Sequence, residues 1–147
     1  MHLEGNVSIA APRPKVWSFL TDPEAVAQCT PGLESMTIVE PGRKFRAVAS
    51  VGLGSVKARF TLDVEWLDLQ APERALAKAH GTAPGSTADV SGELIMREAS
   101  AAATELQWSA DVTIMGTIAS LASRMMGSVT EKLAGQFFDC VRKKVEA

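Results

Sequence analysis

Residues 118–141 read IASLASRMMGSVTEKLAGQFFDCV. Ile118, Leu121, Met125, Val129, Leu133, Phe137 and Val141 recur at steps of three and four. Ser123, Arg124, Ser128, Glu131, Lys132 and Asp139 fill much of the remainder. This is the period of an α-helix with one apolar face. With Thr117 as its N-cap, the spacing predicts one helix of about 28 residues, roughly 40 Å long at about 1.5 Å per residue. Arg142, Lys143 and Lys144 complement the helix dipole at its far end. Gly127 and Gly135 each weaken the helix by roughly 1 kcal/mol relative to Ala, which marks a bend or close packing. A helix this long with one apolar face needs a partner surface.

The segments upstream supply it. Val56, Ala58, Phe60, Leu62, Val64 and Trp66 alternate with Lys57, Arg59, Thr61, Asp63 and Glu65. One face is apolar and the other charged, as in an antiparallel sheet with one wet side. Similar alternation predicts strands at Leu3–Ile9, Leu33–Glu40, Lys44–Val51, Arg74–Thr82, Ala88–Arg97 and Glu105–Val112. Pro41-Gly42, Gly52-Leu53-Gly54, Ala71-Pro72 and Pro84-Gly85 mark the turns between them. Pro12 and Pro14 open a short helix after the first strand, and Asp22-Pro23-Glu24 opens a second. The expected architecture is α+β: a seven-stranded antiparallel sheet wrapped around a long C-terminal helix, with two short helices after strand one, in one domain over residues 1–147.

Composition removes several function classes. Fifteen Lys and Arg against seventeen Asp and Glu give a net charge of −2, without the basic excess of a nucleic-acid binder. Cys29 and Cys140 form no CxxC and lie far in sequence from His2 and His80, so a metal centre is not expected. Buried free thiols in a reducing cytoplasm are the default, with a disulfide left open. The N-terminus lacks the basic and apolar regions of a signal peptide, and no stretch reaches the roughly 20 apolar residues of a membrane span. The expected location is cytoplasmic, with peripheral contact at the inner face of a membrane as the further option. There is no Tyr, and Phe and Trp number five and three, so small side chains fill much of the apolar quota. Ala47, Ala49, Ala58, Ala75, Ala77, Ala79, Ala88 and Ala110 fall largely on inward faces. Small residues there predict a sheet set back from the helix, with a partly hollow interior.

Motifs for chemistry are sparse. Gly52-Leu53-Gly54-Ser55-Val56-Lys57 lacks the later glycine of a dinucleotide fingerprint and precedes a strand, so it reads as a hairpin turn. Its functional version is a flexible lip at a cavity mouth, with Leu53 pointing toward a ligand or a membrane. His80 lies on the strand face opposite Ala75, Ala77 and Ala79 and is solvated if the alanines face in. Asp63, Glu65, Asp89 and Glu93 fall on solvent faces. Trp66 and Trp108 sit on inward faces, as packing or as a flat wall for a ring-shaped ligand. Met125 should face the core, with Met126 toward a rim. No catalytic residue, cofactor or metal is expected.

Three segments carry a family resemblance: DPEAVAQCTPGLES at 22–35, VGLGSVKARF at 51–60 and LASRMMGSVTEKLAGQFFD at 121–139. With the element order, they resemble the helix-grip superfamily of START domains, Bet v 1 and polyketide cyclases, and within it the carbon monoxide dehydrogenase CoxG family. The resemblance implies a cavity between sheet and helix and an association with molybdenum-containing hydroxylases of the carbon monoxide dehydrogenase type. It also implies, in many members, a C-terminal extension for membrane attachment; this sequence stops at Ala147, directly after the helix. The expected function is non-catalytic binding of a lipophilic small molecule, a quinone being a reasonable ligand. Phe45, Phe60, Leu62, Trp66, Val90, Trp108, Ile118, Leu121 and Met125 should line the cavity, with Leu53, Pro84 and Met115 at its mouth. The alternatives are a cyclase or dehydratase, which needs an acid or base inside, and a ligand-free docking factor that uses the apolar mouth.

Overall fold

The computed structural model describes residues 1–146. β1 (His2–Ile9) leads into α1 (Arg13–Leu20) and α2 (Pro23–Ala27). Six strands follow: β2 (Leu33–Glu40), β3 (Lys44–Leu53), β4 (Val56–Gln70), β5 (Arg74–Ala83), β6 (Ser86–Ser100) and β7 (Ala103–Gly116). α3 (Ala119–Val145) closes the chain. All strands join one antiparallel sheet in the order β1-β7-β6-β5-β4-β3-β2.

Local chemistry accounts for the element ends. Pro14 occupies the first turn of α1, where an amide has no helical partner. The Asp22 carboxylate accepts from the Glu24 amide and starts α2. Thr117 does not cap α3. Ile118 holds that position, and the Thr117 hydroxyl instead meets Ser86 Oγ at 3.2 Å. The Thr117 amide donates to the Gly85 carbonyl at 3.0 Å, so the start of α3 is stitched to the β5–β6 turn. Gly116 makes this join possible. Its φ is +102°, and a Cβ there would stand 2.1 Å from the Gly85 oxygen.

Directly opposed residues share a face of the sheet. One inner row is therefore Phe45–Val64–Ala79–Val90–Val112. Its inner neighbours are Ala47–Leu62–Gly81–Ala88–Ile114 on one side and Trp66–Ala77–Gly92–Ala110–Leu3 on the other. The outer rows between them carry charge: Arg46–Asp63–His80–Asp89 and Lys44–Glu65–Lys78. Arg46 meets Asp63 at 2.8 Å, and Lys44 and Lys78 each approach Glu65 to 3.5 Å. Cross-strand pairs of this kind favour the register, weakened by solvent screening on this exposed face.

Two sealed cores stand at opposite ends of α3. One joins Ile9, Val16, Leu20, Met96 and Leu106 to Phe138, Val141 and Val145. The other joins Ala58, Phe60 and Ala88 beneath Ile118 at the helix start. The backbone of α3 comes closest to β3 on one flank and to β1 and β7 on the other, and the central strands stand further off. Between the cores, Phe45, Val64, Trp66, Ala77, Ala79, Val90, Ala110 and Val112 on the sheet are half-buried, as are Leu121, Met125, Val129 and Leu133 on the helix.

The cysteines correct the free-thiol expectation. Cys29, just beyond α2, and Cys140, near the end of α3, form a disulfide with a Cα separation of 5.4 Å. The fold brings the two residues together across 111 positions of sequence, a juxtaposition their spacing could not reveal.

Candidate ligand-binding site

The nine residues expected to line a cavity divide into three groups. Phe60, Leu62 and Ile118 belong to the sealed cluster at the start of α3. Leu62 lies across Gly81, where a Cβ would be 2.7 Å from its Cδ2. Phe45, Trp66 and Val90 belong to the half-buried rows between the cores, whereas Leu121 and Met125 are half-buried on the helix, Met125 against the β3–β4 tip at Gly54. Trp108 packs beside the larger core and covers Gly5 on β1, its cross-strand partner. A Cβ at Gly5 would stand 2.7–2.9 Å from Trp108 Nε1, Cε2 and Cζ2, so the glycine creates the seat for the indole.

The middle rows carry mostly short side chains. In the Trp66 row, Ala77, Gly92 and Ala110 follow the indole across the sheet. A Cβ at Gly92 would meet nothing nearer than the Ser109 oxygen at 3.7 Å. The alanine reading holds in part. Ala47, Ala49, Ala58, Ala75 and Ala88 face inward but are sealed by their neighbours, whereas Ala77, Ala79 and Ala110 remain half-exposed. Trp66 Nε1 is buried without a hydrogen-bond partner. An unpaired buried donor costs about 1–3 kcal/mol.

Of the three residues expected at a cavity mouth, one is buried and two are exposed. Leu53 is 2% exposed and does not form an outward lip. The β3–β4 tip folds down onto α3, with Met125 Sδ and Cε within 3.3 Å of a Cβ built at Gly54. Pro84 and Met115 are exposed, and Val56 joins them. The alternation at 56–66 assigns Val56 to the inner face, and at the strand end it is 41% exposed although it opposes the buried Leu53.

Clefts flank the middle of α3. One, of about 460 Å³, separates it from β1 and is lined by Leu3, Gly5, Val7, Trp108, Ala134 and Phe138, with Gly127 and Gly135 on its helical wall. The other, of about 580 Å³, separates it from β3 and includes Gly52, Met125, Val129 and Leu133. Sequence reading missed both, although the two costly helix glycines were the available signal. A third groove, of about 600 Å³, crosses the outer face between the charged rows.

The titratable groups lie outside. His80 Nδ1 is 2.7 Å from Asp89 Oδ1 on the outer face, and both side chains are more than half exposed. His2 also sits outside, where hydrogen bonds to Asp111 and Glu4 raise its pKa above 6.5. Burial pushes the Glu65 carboxyl upward, but Lys44 and Lys78 outweigh it and hold the pKa below 4.5. A hydrogen bond from Ser50, aided by Arg59, holds Glu34 low as well. Among the described residues, no group of three His, Cys, Asp or Glu side chains could hold a metal ion. No described helix is long and apolar enough to cross a membrane.

A long helix gripped by a seven-stranded antiparallel sheet, with two short helices after the first strand, is the fold of the START and polyketide cyclase superfamily. Solved structures agree. A conserved protein from Geobacillus kaustophilus superposes with a TM-score of 0.91 at 22% identity, covering 99% of this chain and 95% of that one. The Zhui aromatase/cyclase from Streptomyces sp. R1128 gives 0.77 at 23% identity over 99% and 93%. A START superfamily protein from Mycobacterium smegmatis gives 0.76 at 15% identity over 99% and 97%. Residues 5–146 match the family model of the carbon monoxide dehydrogenase subunit CoxG, and the chain belongs to this CoxG family. No curated protein matches the sequence.

Proposed function

We propose that the chain binds a flat lipophilic molecule between the middle rows of the sheet and α3, without catalysing a reaction on it. The observation that carries this reading is Trp66. Its buried indole N–H has no acceptor in a region of half-buried apolar side chains. A ligand with a ring to lie on the short Ala77–Gly92–Ala110 row and a carbonyl to accept that N–H meets both demands. A quinone has this chemistry. Affinity would come mainly from apolar burial at about 25 cal/mol per Å², with one polar anchor.

Membership in the CoxG family supports the setting: an accessory protein serving a molybdenum hydroxylase of the carbon monoxide dehydrogenase type. A quinone carrier would connect such an oxidoreductase with a membrane. The position of His80 favours binding over the cyclase alternative. The histidine is on the outer face and paired with Asp89, while the inner rows between the cores are apolar. A cyclase needs an acid or base inside.

Titration with N-phenyl-1-naphthylamine fluorescence and with menadione quenching of tryptophan tests this reading. Saturable binding of both is expected. Trp66→Phe should weaken menadione about two- to tenfold, the loss of one hydrogen bond worth about 0.5–1.5 kcal/mol, and leave the hydrocarbon probe nearly unchanged. Absence of binding by either probe would sink the reading.

A docking role has its own observation: Met115, at the end of β7, is 62% exposed, and Val56, at the start of β4, is 41% exposed. This surface would meet the partner enzyme or a membrane surface. Co-purification with the hydroxylase that survives Trp66→Ala and Trp108→Ala but fails with Met115→Glu and Val56→Glu would favour docking over ligand carriage.

A further inference from the structure

We infer that the cleft between β1 and α3 is the passage by which a lipophilic ligand reaches the interior, and that Gly127 and Gly135 keep it open. The inference rests on the binding role proposed above. The two glycines occupy positions where most residues would favour the helix more. A Cβ built at either meets no atom within 4 Å, so packing does not demand a glycine there. No positive φ requires one. What the positions share is the cleft, whose helical wall they form opposite the β1 edge. Any longer side chain would project into that space.

The opposite wall is also shaped for passage. Gly5 carries no side chain, and the Trp108 indole lies across it as part of both the cleft lining and the inner sheet face. The Trp66 row itself ends at Leu3, which lines the cleft, and Trp108 lies in the next row beside it. No hydrogen bond from another described residue fixes its indole, and rotation toward Phe138 or away from it would change the opening without breaking a polar contact. Among its lining, Glu4, Glu131 and Asp139 outnumber the one cation, Arg142, whose guanidinium already donates to the Ser8 carbonyl and to Asp139, and Leu3, Val7, Trp108, Ala134 and Phe138 are apolar. An uncharged ring system fits this lining better than an anion.

The variant Gly127→Leu/Gly135→Leu fills the cleft, and Gly127→Ala/Gly135→Ala leaves it open. Gly52→Leu is the control, because Gly52 lines the cleft on the other flank and a Cβ there also meets nothing within 4 Å. Stopped-flow mixing with N-phenyl-1-naphthylamine should show association and dissociation both slowed at least tenfold by the double leucine variant. Its equilibrium affinity should change less than threefold. The alanine pair and Gly52→Leu should keep the wild-type rates. Circular dichroism is expected to show all variants folded, with melting temperatures no lower than wild type. Unchanged rates in the double leucine variant, or equal slowing by Gly52→Leu, would overturn the passage while leaving the binding role intact. A wild-type protein that binds no probe would remove the binding role and the passage together.

Discussion

Replacing Gly5 with Ala adds one methyl group to an edge strand, a change that ordinarily costs little and even favours a strand. Here the methyl would lie 2.7 Å from Trp108 Nε1, 2.8 Å from Cε2 and 2.9 Å from Cζ2. All three atoms belong to the rigid indole, which also packs beside the core containing Met96 and Leu106. The ring must move as a unit by several tenths of an ångström. Overpacking of this kind costs about 1–3 kcal/mol. Loss of glycine freedom in the unfolded chain returns about 0.4–1 kcal/mol. The balance is a destabilisation of about 1–2 kcal/mol, or about 3–6 °C in Tm for a chain of this length. Urea and thermal unfolding followed by circular dichroism measure it. Trp108→Phe should suppress much of the Gly5→Ala effect in a double-mutant cycle, because the smaller ring leaves room for the methyl. A Gly5→Ala protein as stable as wild type, or an additive cycle, would refute the proposed fit between glycine and indole.

Gly127→Ala and Gly135→Ala should each stabilise by up to about 1 kcal/mol, raising Tm by a few degrees, since nothing opposes the new methyl. Cys140→Ser should lower stability by up to about 4 kcal/mol relative to the oxidised protein, because the bridge closes a long loop in the unfolded chain; dithiothreitol should produce a similar drop in wild type and none in the variant. Glu65 has a folded pKa below 4.5, so its stabilising contribution is present above pH 4.5 and lost as pH falls through the folded value. Carboxyl NMR titration should find the Glu65 midpoint higher in Lys78→Met than in wild type. His2 behaves oppositely: its folded pKa lies above 6.5, so its contribution is complete below pH 6.5 and fades as pH rises through the folded value. His2→Gln should therefore flatten the stability profile on the alkaline side of 6.5.

The fold was legible because period and polarity agree in both long patterns. The 56–66 alternation carries charge on nearly every second residue, and 118–141 keeps an apolar stripe along its length, so each element announces its own partner face. Leu53 and Val56 show where pattern loses force. They oppose each other across one turn, yet Leu53 is buried and Val56 exposed, a difference that alternation does not encode. The candidate site was legible as composition, not as geometry. Trp66 and Trp108 could be placed on inward faces from alternation alone. Their different surroundings depend on the cross-strand neighbours Ala77 and Gly5, set by register and distant in sequence. The clefts beside α3 belong to no single segment, and a helix glycine does not declare which wall it forms. Cys29 and Cys140 were readable as inward-facing residues, but their meeting depends on how α2 lies against the end of α3.

The Cys29–Cys140 bridge also alters the chain as an object. It closes a covalent ring that contains β2 through β7, every hairpin turn between them and most of α3, with β1, α1 and α2 as a tail that leads into it. A protease that cuts the β3–β4 or β5–β6 tip while the bridge is intact opens that ring without releasing a fragment. The nicked molecule gains one water and keeps its full complement of strands. Either hairpin tip can therefore be cut while the domain stays in one piece.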